Sequence, residues 1–235
     1  MSAIVPVLAN TAAKIVIVGD GEFAEIAYEY FTHDSSYEVV AFAVERAFLK
    51  RDSLFDLPVV PFEDVESRFS PREHGVFVAI TYTQLNRVRT RLCHAARQKG
   101  YTLVSYVSSR AFVWRNAVIG ENCFIFENNV IQYHVSIGDN VILWSGNHVG
   151  HRSVVRNNCF ISSHVVISGY CEIGENCFLG VNSSVGDHVK VARDCLIGAG
   201  AVVAMNTEEG RIYKGDRARP SRVGSLQWFK IEETG

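Results

Sequence analysis

Two residues of this chain, His151 and Gly169, have the types and the spacing needed for proton transfer during attack on a carbonyl group. A free imidazole titrates near pH ~6.5, so histidine can accept a proton under ordinary conditions. A glycine offers a backbone N–H that its own side chain cannot cover, and such a group can bind the developing oxyanion. A base beside an oxyanion donor is the minimum requirement for acyl transfer. The two residues are neighbours in space only if the chain returns to the same place every 18 positions.

The second half of the sequence has this periodicity. An aliphatic residue recurs at every sixth position, namely Val113, Ile119, Ile125, Ile131, Ile137, Leu143, Val149, Val155, Ile161, Ile167, Ile173, Leu179, Val185, Val191, Ile197 and Val203. A period of six fits neither a helix nor a simple strand, and it is typical of a parallel β-helix with three short sides. One coil then takes 18 residues, and residues 18 apart lie about 4.8 Å apart. Tyr133, His151 and Gly169 are therefore expected to stack.

The first half alternates strands with helices. We predict strands at 14–19, 37–44, 59–61, 75–80 and 102–107, and helices that begin after Gly21 and at Gln84. This order indicates a small parallel α/β domain, about half the length of a full dinucleotide-binding fold. The predicted fold class is thus α/β plus all-β, a small Rossmann-like domain followed by a β-helix. The expected boundaries are 1–108, with an extension at 1–12, then 109–210, and a tail at 211–235.

A glycine-rich loop joins the first strand to the first helix. The residues are Gly19, Asp20, Gly21, Glu22, Phe23 and Ala24, which fit the pattern G-x-G-x-x-A. Such a loop exposes backbone N–H groups to a diphosphate, although an ordinary strand–helix turn has the same form. Asp20 and Glu22 place negative charge where a phosphate would lie. Glu45 ends the second strand and is a candidate contact for a ribose, while the missing second half of the fold favours a mononucleotide or a nucleotide sugar.

Composition excludes several other classes. The formal net charge is -2 and the pI is near 6.4, which gives no sign of nucleic-acid binding. We expect no membrane span, because no apolar run reaches ~18 residues, and we expect a cytoplasmic protein, because the start lacks a basic signal region. Five cysteines share the narrow inward position of the hexapeptide: Cys123, Cys159, Cys171, Cys177 and Cys195. We interpret them as buried structural thiols and expect no metal.

The order of these domains resembles that of the bacterial sugar O-/N-acyltransferases, which include sialic acid O-acetyltransferases and acetyltransferases of UDP-linked 4-amino sugars. The most specific stretches are NHVGHRSVV at 147–155, ISG at 167–169 and IGENCFLGVNSSV at 173–185. The resemblance implies a left-handed β-helix and a homotrimer with acetyl-CoA bound between neighbouring β-helices. It implies that His151 is the general base, that the Gly169 N–H holds the thioester carbonyl, and that the glycine loop holds the nucleotide diphosphate.

The resemblance also suggests two sets of contacts. For the nucleotide-linked sugar we expect Gly19, Asp20, Gly21, Glu22, Phe23, Glu45, Thr81, Tyr82, His134, Asn147 and His148. For acetyl-CoA we expect Trp144, Gly169, Asp187, Lys214, Arg217 and Arg219. The last three belong to a basic run after the final coil that can meet the CoA phosphates or can simply be a solvated tail. Two departures from the family stand out: Arg152 follows the histidine where close members have an acidic residue, and the glycine loop is shorter and more acidic.

The resulting hypothesis is an acetyl-CoA-dependent N-acyltransferase that acts on a nucleotide-linked amino sugar. O-acetylation of a free sugar such as a sialic acid is the first alternative, because the sequence does not separate amine from hydroxyl acceptors. A carbonic-anhydrase-like metal enzyme is a second, although no two histidines are five residues apart. A nicotinamide-binding protein is a third, suggested by the glycine loop with Glu45.

Overall fold

The computed structural model describes residues 14–231, so the expected extension at 1–12 lies outside the described residues. The N-terminal domain contains β1 Lys14–Val18, α1 Glu22–His33, β2 Glu38–Val44, β3 Ser53–Leu54, β4 Leu57–Pro61, α2 Val65–Arg68, β5 His74–Val78 and α3 Arg87–Gln98, with 3₁₀ turns at Arg46–Phe48 and Phe62–Asp64. The strand order is β3-β4-β2-β1-β5, and every pair is parallel except β3 with β4. None of the described helices is long and apolar enough to cross a membrane.

The expected strand at 102–107 is wrong as a member of this sheet. Leu103 makes a single bridge to Val76, and the chain then leaves the sheet. Tyr106 and Val107 instead pair with Phe124 and Ile125 and so form the first strand of the coils. The segment has the apolar composition of a buried strand because it is buried between the two domains.

The second part of the chain is a left-handed parallel β-helix, as predicted. Its strands are β6 Tyr106–Val107, β7 Phe112–Val113, β8 Val118–Ile119, β9 Phe124–Ile125, β10 Val130–Ile131, β11 Ser136–Ile137, β12 Ile142–Leu143, β13 His148–Val149, β14 Val154–Val155, β15 Phe160–Ile161, β16 Val166–Ile167, β17 Glu172–Ile173, β18 Phe178–Leu179, β19 Ser184–Val185, β20 Lys190–Val191, β21 Leu196–Ile197, β22 Val202–Val203 and β23 Ile212–Tyr213. The helix α4, Ser225–Trp228, follows them. The predicted domain boundaries stay predictions, and the coil strands themselves run from Tyr106 to Tyr213.

Pairing between coils has the predicted register of 18 residues. Ile131 pairs with Val149, Val149 with Ile167, Ile167 with Val185, and Val185 with Val203. The aliphatic side chains of the hexapeptide point inward and form one continuous core, together with the five cysteines that share the narrow position. Burial raises the pKa of the Cys123 thiol to about 12, so this thiol is protonated at neutral pH.

From Asn122 to Gly200, each corner of the β-helix turns at a residue with positive φ. Three columns of such residues run along the corners: Asn122, Asn140, Asn158, Asn176 and Asp194; Asn128, Gly146, His164, Asn182 and Gly200; His134, Arg152, Tyr170 and His188. Asn, Asp, His and Gly adopt this left-handed conformation more readily than other residues do. The third column also contains Arg152 and Tyr170, with φ of 59° and 54°, and this is the corner that contains His151.

One sheet of the β-helix packs against the N-terminal domain. The outward side chains of Phe124, Ile142 and Phe160 join a core that includes Phe23 and Phe31 of α1. The Phe23 and Phe124 rings meet edge to face with centroids 5.4 Å apart. The two domains therefore share an apolar core, and α1 is held against the coils.

A buried arginine, Arg89 of α3, fixes this arrangement further. Its guanidinium donates to the Asn140 side chain at 2.8 Å and to the carbonyls of Asn140 at 3.1 Å and Cys159 at 3.2 Å. It also donates to the carbonyls of Ile80 at 3.1 Å and Thr81 at 2.5 Å, just after β5. Complete burial lowers the pKa of Arg89 to about 10, so the group is still charged at neutral pH. A buried charge is costly unless hydrogen bonds compensate it, as these five bonds do.

The column of asparagines at one corner of the β-helix also connects the coils to the N-terminal domain. Asn122 accepts a hydrogen bond from the Val78 N–H at 2.8 Å, at the end of β5. It donates to Asn140 at 3.0 Å, and Asn140 donates to Asn158 at 2.9 Å. Arg89, Asn140 and Asn122 thus form one buried network that joins α3, the end of β5 and three successive coils.

We predict that Arg89→Met destabilises the protein strongly. The substitution leaves four buried carbonyls and the Asn140 oxygen with fewer donors, so we expect the free energy of unfolding to fall by about 3 kcal/mol or more. Urea denaturation followed by circular dichroism measures this change. Arg91→Met is the matched control, because Arg91 lies on the same helix with a half-exposed side chain in a surface ion pair worth at most about 1 kcal/mol. Equal losses for the two variants would contradict the role assigned to Arg89.

Candidate active site

His151 and Gly169 lie one above the other, as the spacing predicts. A Cβ atom added to Gly169 would lie 2.7 Å from His151 Cε1 and 2.9 Å from Nε2, so the imidazole covers the space that a side chain would fill. The backbone makes the same column: the Tyr170 N–H donates to the His151 carbonyl, and the Arg152 N–H donates to the Tyr133 carbonyl, both at 2.9 Å. The imidazole therefore depends on the absence of a side chain at position 169.

The backbone N–H of Gly169 has no acceptor among the residues that the structure describes. The equivalent N–H one coil earlier belongs to His151, and the Gln132 side chain accepts from it at 2.9 Å. Gly150 has the same position relative to Gly169 that Gln132 has relative to His151, but it has no side chain to accept the hydrogen bond. A Cβ at Gly150 would lie only 2.7 Å from the Gly169 nitrogen. Two glycines thus leave a backbone donor open directly beside an imidazole.

The residue after the histidine points elsewhere. The Arg152 guanidinium lies over the Tyr133 ring at 5.4 Å and near the Tyr170 ring at 6.0 Å. Tyr170 also meets the His151 ring edge to face, with centroids 5.2 Å apart. Arg152 therefore packs between two tyrosines of neighbouring coils and provides no acceptor for the imidazole.

A cavity of about 330 Å³ opens next to the glycine-rich loop. Its lining consists of Gly21, Glu22, Phe23, Ile26, Ala79, Ile80, Thr81, Thr83 and Trp144. The structure thus brings four of the expected acceptor contacts together: Gly21, Glu22, Phe23 and Thr81. Gly21 is the N-cap residue of α1, where backbone N–H groups are available. Gly19 does not line the cavity, but its φ of +125° requires glycine there, as does the Ala79 carbonyl oxygen, which would lie 2.8 Å from an added Cβ.

A nearby arginine offsets part of the negative charge of the loop. The Asp20 carboxylate forms an ion pair with Arg51 at 3.5 Å. Arg51 lies beyond β2 and has no spacing relationship with the loop, so no pattern in the sequence indicates this contact. Glu45 also has a cationic partner: Arg91 binds its carboxylate through two hydrogen bonds of 2.7 and 2.9 Å and lowers its pKa. The expected ribose contact of Glu45 would have to compete with this pair.

Three of the expected contacts also have partners within the protein. Asn147 is buried inside a coil, where it accepts from the Val165 N–H at 2.8 Å and donates to the Trp144 carbonyl, so its role is structural. Trp144 lies in the cavity beside the glycine loop and stacks on Phe126 at 4.6 Å, and its expected contact with acetyl-CoA stays a prediction. Tyr82 packs its ring against Phe178 at 4.9 Å on the outside of the coils and is absent from the cavity lining.

The other expected contacts lie on the coils and beyond them. His148 points outward on β13, three residues before His151, and His134 occupies the turn one coil below Arg152. Lys214, Arg217 and Arg219 follow the last coil strand, are exposed, and form no ion pair within the described part of the chain. Within residues 14–231 no three His, Cys, Asp or Glu side chains come together in a way that could hold a metal ion.

Comparison with known proteins agrees with this fold. The family described as "Bacterial transferase hexapeptide (six repeats)" matches residues 116–151 and 170–204. The acetyltransferase domain of PglB from Neisseria gonorrhoeae is 25% identical, with a TM-score of 0.78, over 89% of this chain and 100% of that one. PerB from Caulobacter crescentus, solved with CoA and GDP-perosamine, is 26% identical, with a TM-score of 0.78, over 86% of this chain and 94% of that one. No curated protein sequence matches the chain.

The chain thus carries bacterial transferase hexapeptide repeats at residues 116–151 and 170–204 and is similar in sequence and fold to sugar acetyltransferases of known structure. The match covers both domains of the two solved structures, so the likeness extends beyond the repeats to the α/β domain and to the way it precedes the coils. The turn with His151 carries an open backbone donor beside an imidazole, and the cavity at the glycine loop has the N-cap residue of α1 in its lining.

We predict that Gly169→Ala displaces the His151 ring without unfolding the protein. The added Cβ would lie 2.7 Å from the ring, and the exposed imidazole can rotate away into solvent at little cost. A crystal structure of the variant measures the ring position, and thermal denaturation measures the stability. Gly186→Ala, at the same corner of the β-helix, is the control, since its Cβ would meet nothing closer than 3.5 Å. An unmoved His151 ring in Gly169→Ala would refute the packing described here.

Proposed function

We propose that this protein transfers an acetyl group from acetyl-CoA to the amine of a nucleotide-linked amino sugar. The observation that carries the proposal is the open Gly169 N–H beside the His151 imidazole, because the two groups meet the needs of acyl transfer at one point. The likeness to PerB and to the acetyltransferase domain of PglB supports a sugar N-acetyltransferase.

The proposed reaction is a direct transfer. The neutral amine nitrogen attacks the thioester carbonyl carbon, a C–N bond forms, and the carbonyl oxygen becomes an oxyanion that accepts the Gly169 N–H. His151 accepts the proton that the amine loses. The C–S bond then breaks, the CoA sulfur leaves with the electron pair, and the proton passes from His151 to this thiolate. The buried cysteines take no part, since their thiols lie inside the coils.

The cavity at the glycine loop is the proposed site of the nucleotide. The N-terminus of α1 offers backbone donors for a diphosphate, and the Trp144 and Phe23 rings provide apolar walls. Arg51 offsets the negative charge of Asp20, so the loop repels a phosphate group less than its sequence alone suggests. One solved neighbour is a variant of perosamine N-acetyltransferase, with a histidine replaced by asparagine, in complex with CoA and GDP-perosamine.

The exposed cations after the last coil are the proposed contacts of the CoA phosphates. The corner column of His151 ends two coils further along, at His188, a height of about 10 Å at about 4.8 Å per coil. In acetyl-CoA the thioester and the phosphates are at opposite ends of an extended molecule. A donor that lies along the coils would thus bring its thioester to His151 and its phosphates toward Lys214 and Arg217.

A homotrimer is part of the proposal. The outward face of one sheet carries Phe112, Val166 and Val202, which are exposed, and an apolar side of this kind favours association. Light scattering on the purified protein measures the oligomeric state directly.

The deciding experiment is a thiol-release assay with acetyl-CoA and a panel of UDP-, dTDP- and GDP-linked amino sugars plus free sialic acid. Turnover of a nucleotide-linked amino sugar, with an amide product by mass spectrometry, supports the proposal and identifies the nucleotide. Turnover of free sialic acid alone would replace it with O-acetylation. Absence of turnover across the panel would refute the proposed acceptor class.

We predict that His151→Asn lowers kcat by about 10²- to 10⁴-fold, because loss of a general base typically costs that much. KM values should change little, and circular dichroism should show an intact fold. His94→Asn is the control, since His94 is exposed on α3 and belongs to neither site. A His151→Asn variant with wild-type kcat would exclude His151 as the base.

We predict that Lys214→Ala and Arg217→Ala each raise KM for acetyl-CoA by about two- to fivefold and leave kcat unchanged. Exposed charge pairs contribute up to about 1 kcal/mol, and salt weakens them. The increase in KM should therefore shrink as the salt concentration rises. Arg72→Ala removes an exposed cation from the N-terminal domain and serves as the control. An unchanged KM at low salt would assign the basic run to a solvated tail.

A further inference from the structure

Something other than the adjacent residue must orient the imidazole of His151. Arg152 follows it in the chain, carries a positive charge, and packs between Tyr133 and Tyr170. The backbone N–H of His151 is used by Gln132, and this bond does not reach the ring. A protonated imidazole next to an arginine is disfavoured unless a negative charge offsets the two.

A carboxylate approaches from two coils further along the same column. A Cβ atom on Gly169 would lie 2.9 Å from His151 Nε2 and 3.1 Å from Asp187 Oδ1, so both atoms face the same vacant space. Residues 151, 169 and 187 are successive members of one stack. Because the middle member has no side chain, the first and third approach each other across it.

We propose that Asp187 is the carboxylate partner of His151, acting across the gap that Gly169 leaves between them. This inference rests on the proposed function, because it assigns to Asp187 the task of holding and charge-balancing the general base of that reaction. Asp187 is then a positioning residue that acts through His151, and it is not a contact of acetyl-CoA as the resemblance suggested.

The surroundings of Asp187 hold its carboxylate in place. Oδ2 binds His188 Nδ1 at 2.7 Å, which leaves Oδ1 directed at the space over Gly169. The His188 ring stacks on Tyr170 with centroids 4.8 Å apart and an interplanar angle of 11°. Tyr170 in turn meets the His151 ring edge to face. One aromatic ring thus separates the two histidines and keeps the carboxylate and the imidazole on the same side.

The charged and titratable groups around His151 are few. Arg152 is adjacent in the chain, Tyr133 and His134 come from the coil below, and Tyr170, Asp187 and His188 come from the coils above. Asp187 is the one carboxylate in this group. When His151 accepts the proton of the amine, the imidazolium faces Asp187 Oδ1, directly or through one bridging water, and opposite charges favour the protonated form.

Asp187→Asn tests this, because it keeps the size of the side chain and removes the charge. We expect kcat to fall about tenfold to hundredfold, because the imidazolium that forms during the reaction loses its counter-charge. The acidic limb of the kcat/KM profile should move to lower pH, and KM for acetyl-CoA should stay unchanged. Asp187→Glu keeps the charge and should recover part of the rate. Asp56→Asn, in an exposed turn of the N-terminal domain, is the control.

A second measurement does not depend on the reaction. The His151 C2–H resonance, assigned by its loss in His151→Asn, is titrated by NMR in the wild type and in Asp187→Asn. A midpoint lower by roughly half a unit or more in Asp187→Asn supports the pairing. An unchanged midpoint overturns it, as does a wild-type kcat profile for Asp187→Asn. A raised KM for acetyl-CoA with an unchanged profile returns Asp187 to the donor site. Absence of turnover in the wild type would count against the proposed function, while the NMR result would still decide the pairing.

Discussion

The whole structure depends on the return of the chain to the same position every 18 residues. Parallel pairing between coils requires three turns of equal length in each, and from Asn122 to Gly200 each turn contains one residue with positive φ. An insertion of one residue would move all later inward side chains out of register. This constraint converts spacing in the sequence into contact in space. It is the reason that His151 and Gly169 meet, and the reason that Asp187 approaches from beyond Gly169.

A second constraint holds the α/β domain against the coils. Arg89 is buried with no carboxylate among its hydrogen-bond partners, and it is stabilised by carbonyl groups from both domains and by Asn140. Its bonds to Ile80 and Thr81 fix the segment that forms one wall of the cavity, while Trp144 of the coils forms another. The cavity at the glycine loop thus owes its shape to a buried side chain that does not itself line the cavity. Coil register and the buried arginine together position the two proposed halves of the site.

The sequence predicted those parts of the site that depend on spacing. The β-helix, the inward cysteines and the stacking of His151 on Gly169 all follow from the period of six. The direction of side chains within a coil was predicted less well. Asn147 was expected to contact the nucleotide-linked sugar, but it is buried at an inward position of the hexapeptide. The repeat itself already indicates this inward position. Contacts between residues distant in the sequence, such as Arg51 with Asp20 or Arg89 with Asn140, have no periodic signal. The prediction of a sheet strand at 102–107 was wrong because a segment buried between two domains has the same apolar pattern as a buried strand.

A glycine in a column of stacked residues changes which contacts the residues on the neighbouring coils can make. In most columns a side chain at each level separates its neighbours, as Gln132 does when it covers the His151 N–H. At Gly150 and Gly169 this separation is lost, and the results differ: Gly150 leaves a backbone donor open, while Gly169 lets an imidazole and a carboxylate face each other. Two glycines, 19 residues apart and on adjacent coils, therefore create both polar features of the proposed reaction centre. At these two positions a single methyl group would meet the Gly169 nitrogen or the His151 ring.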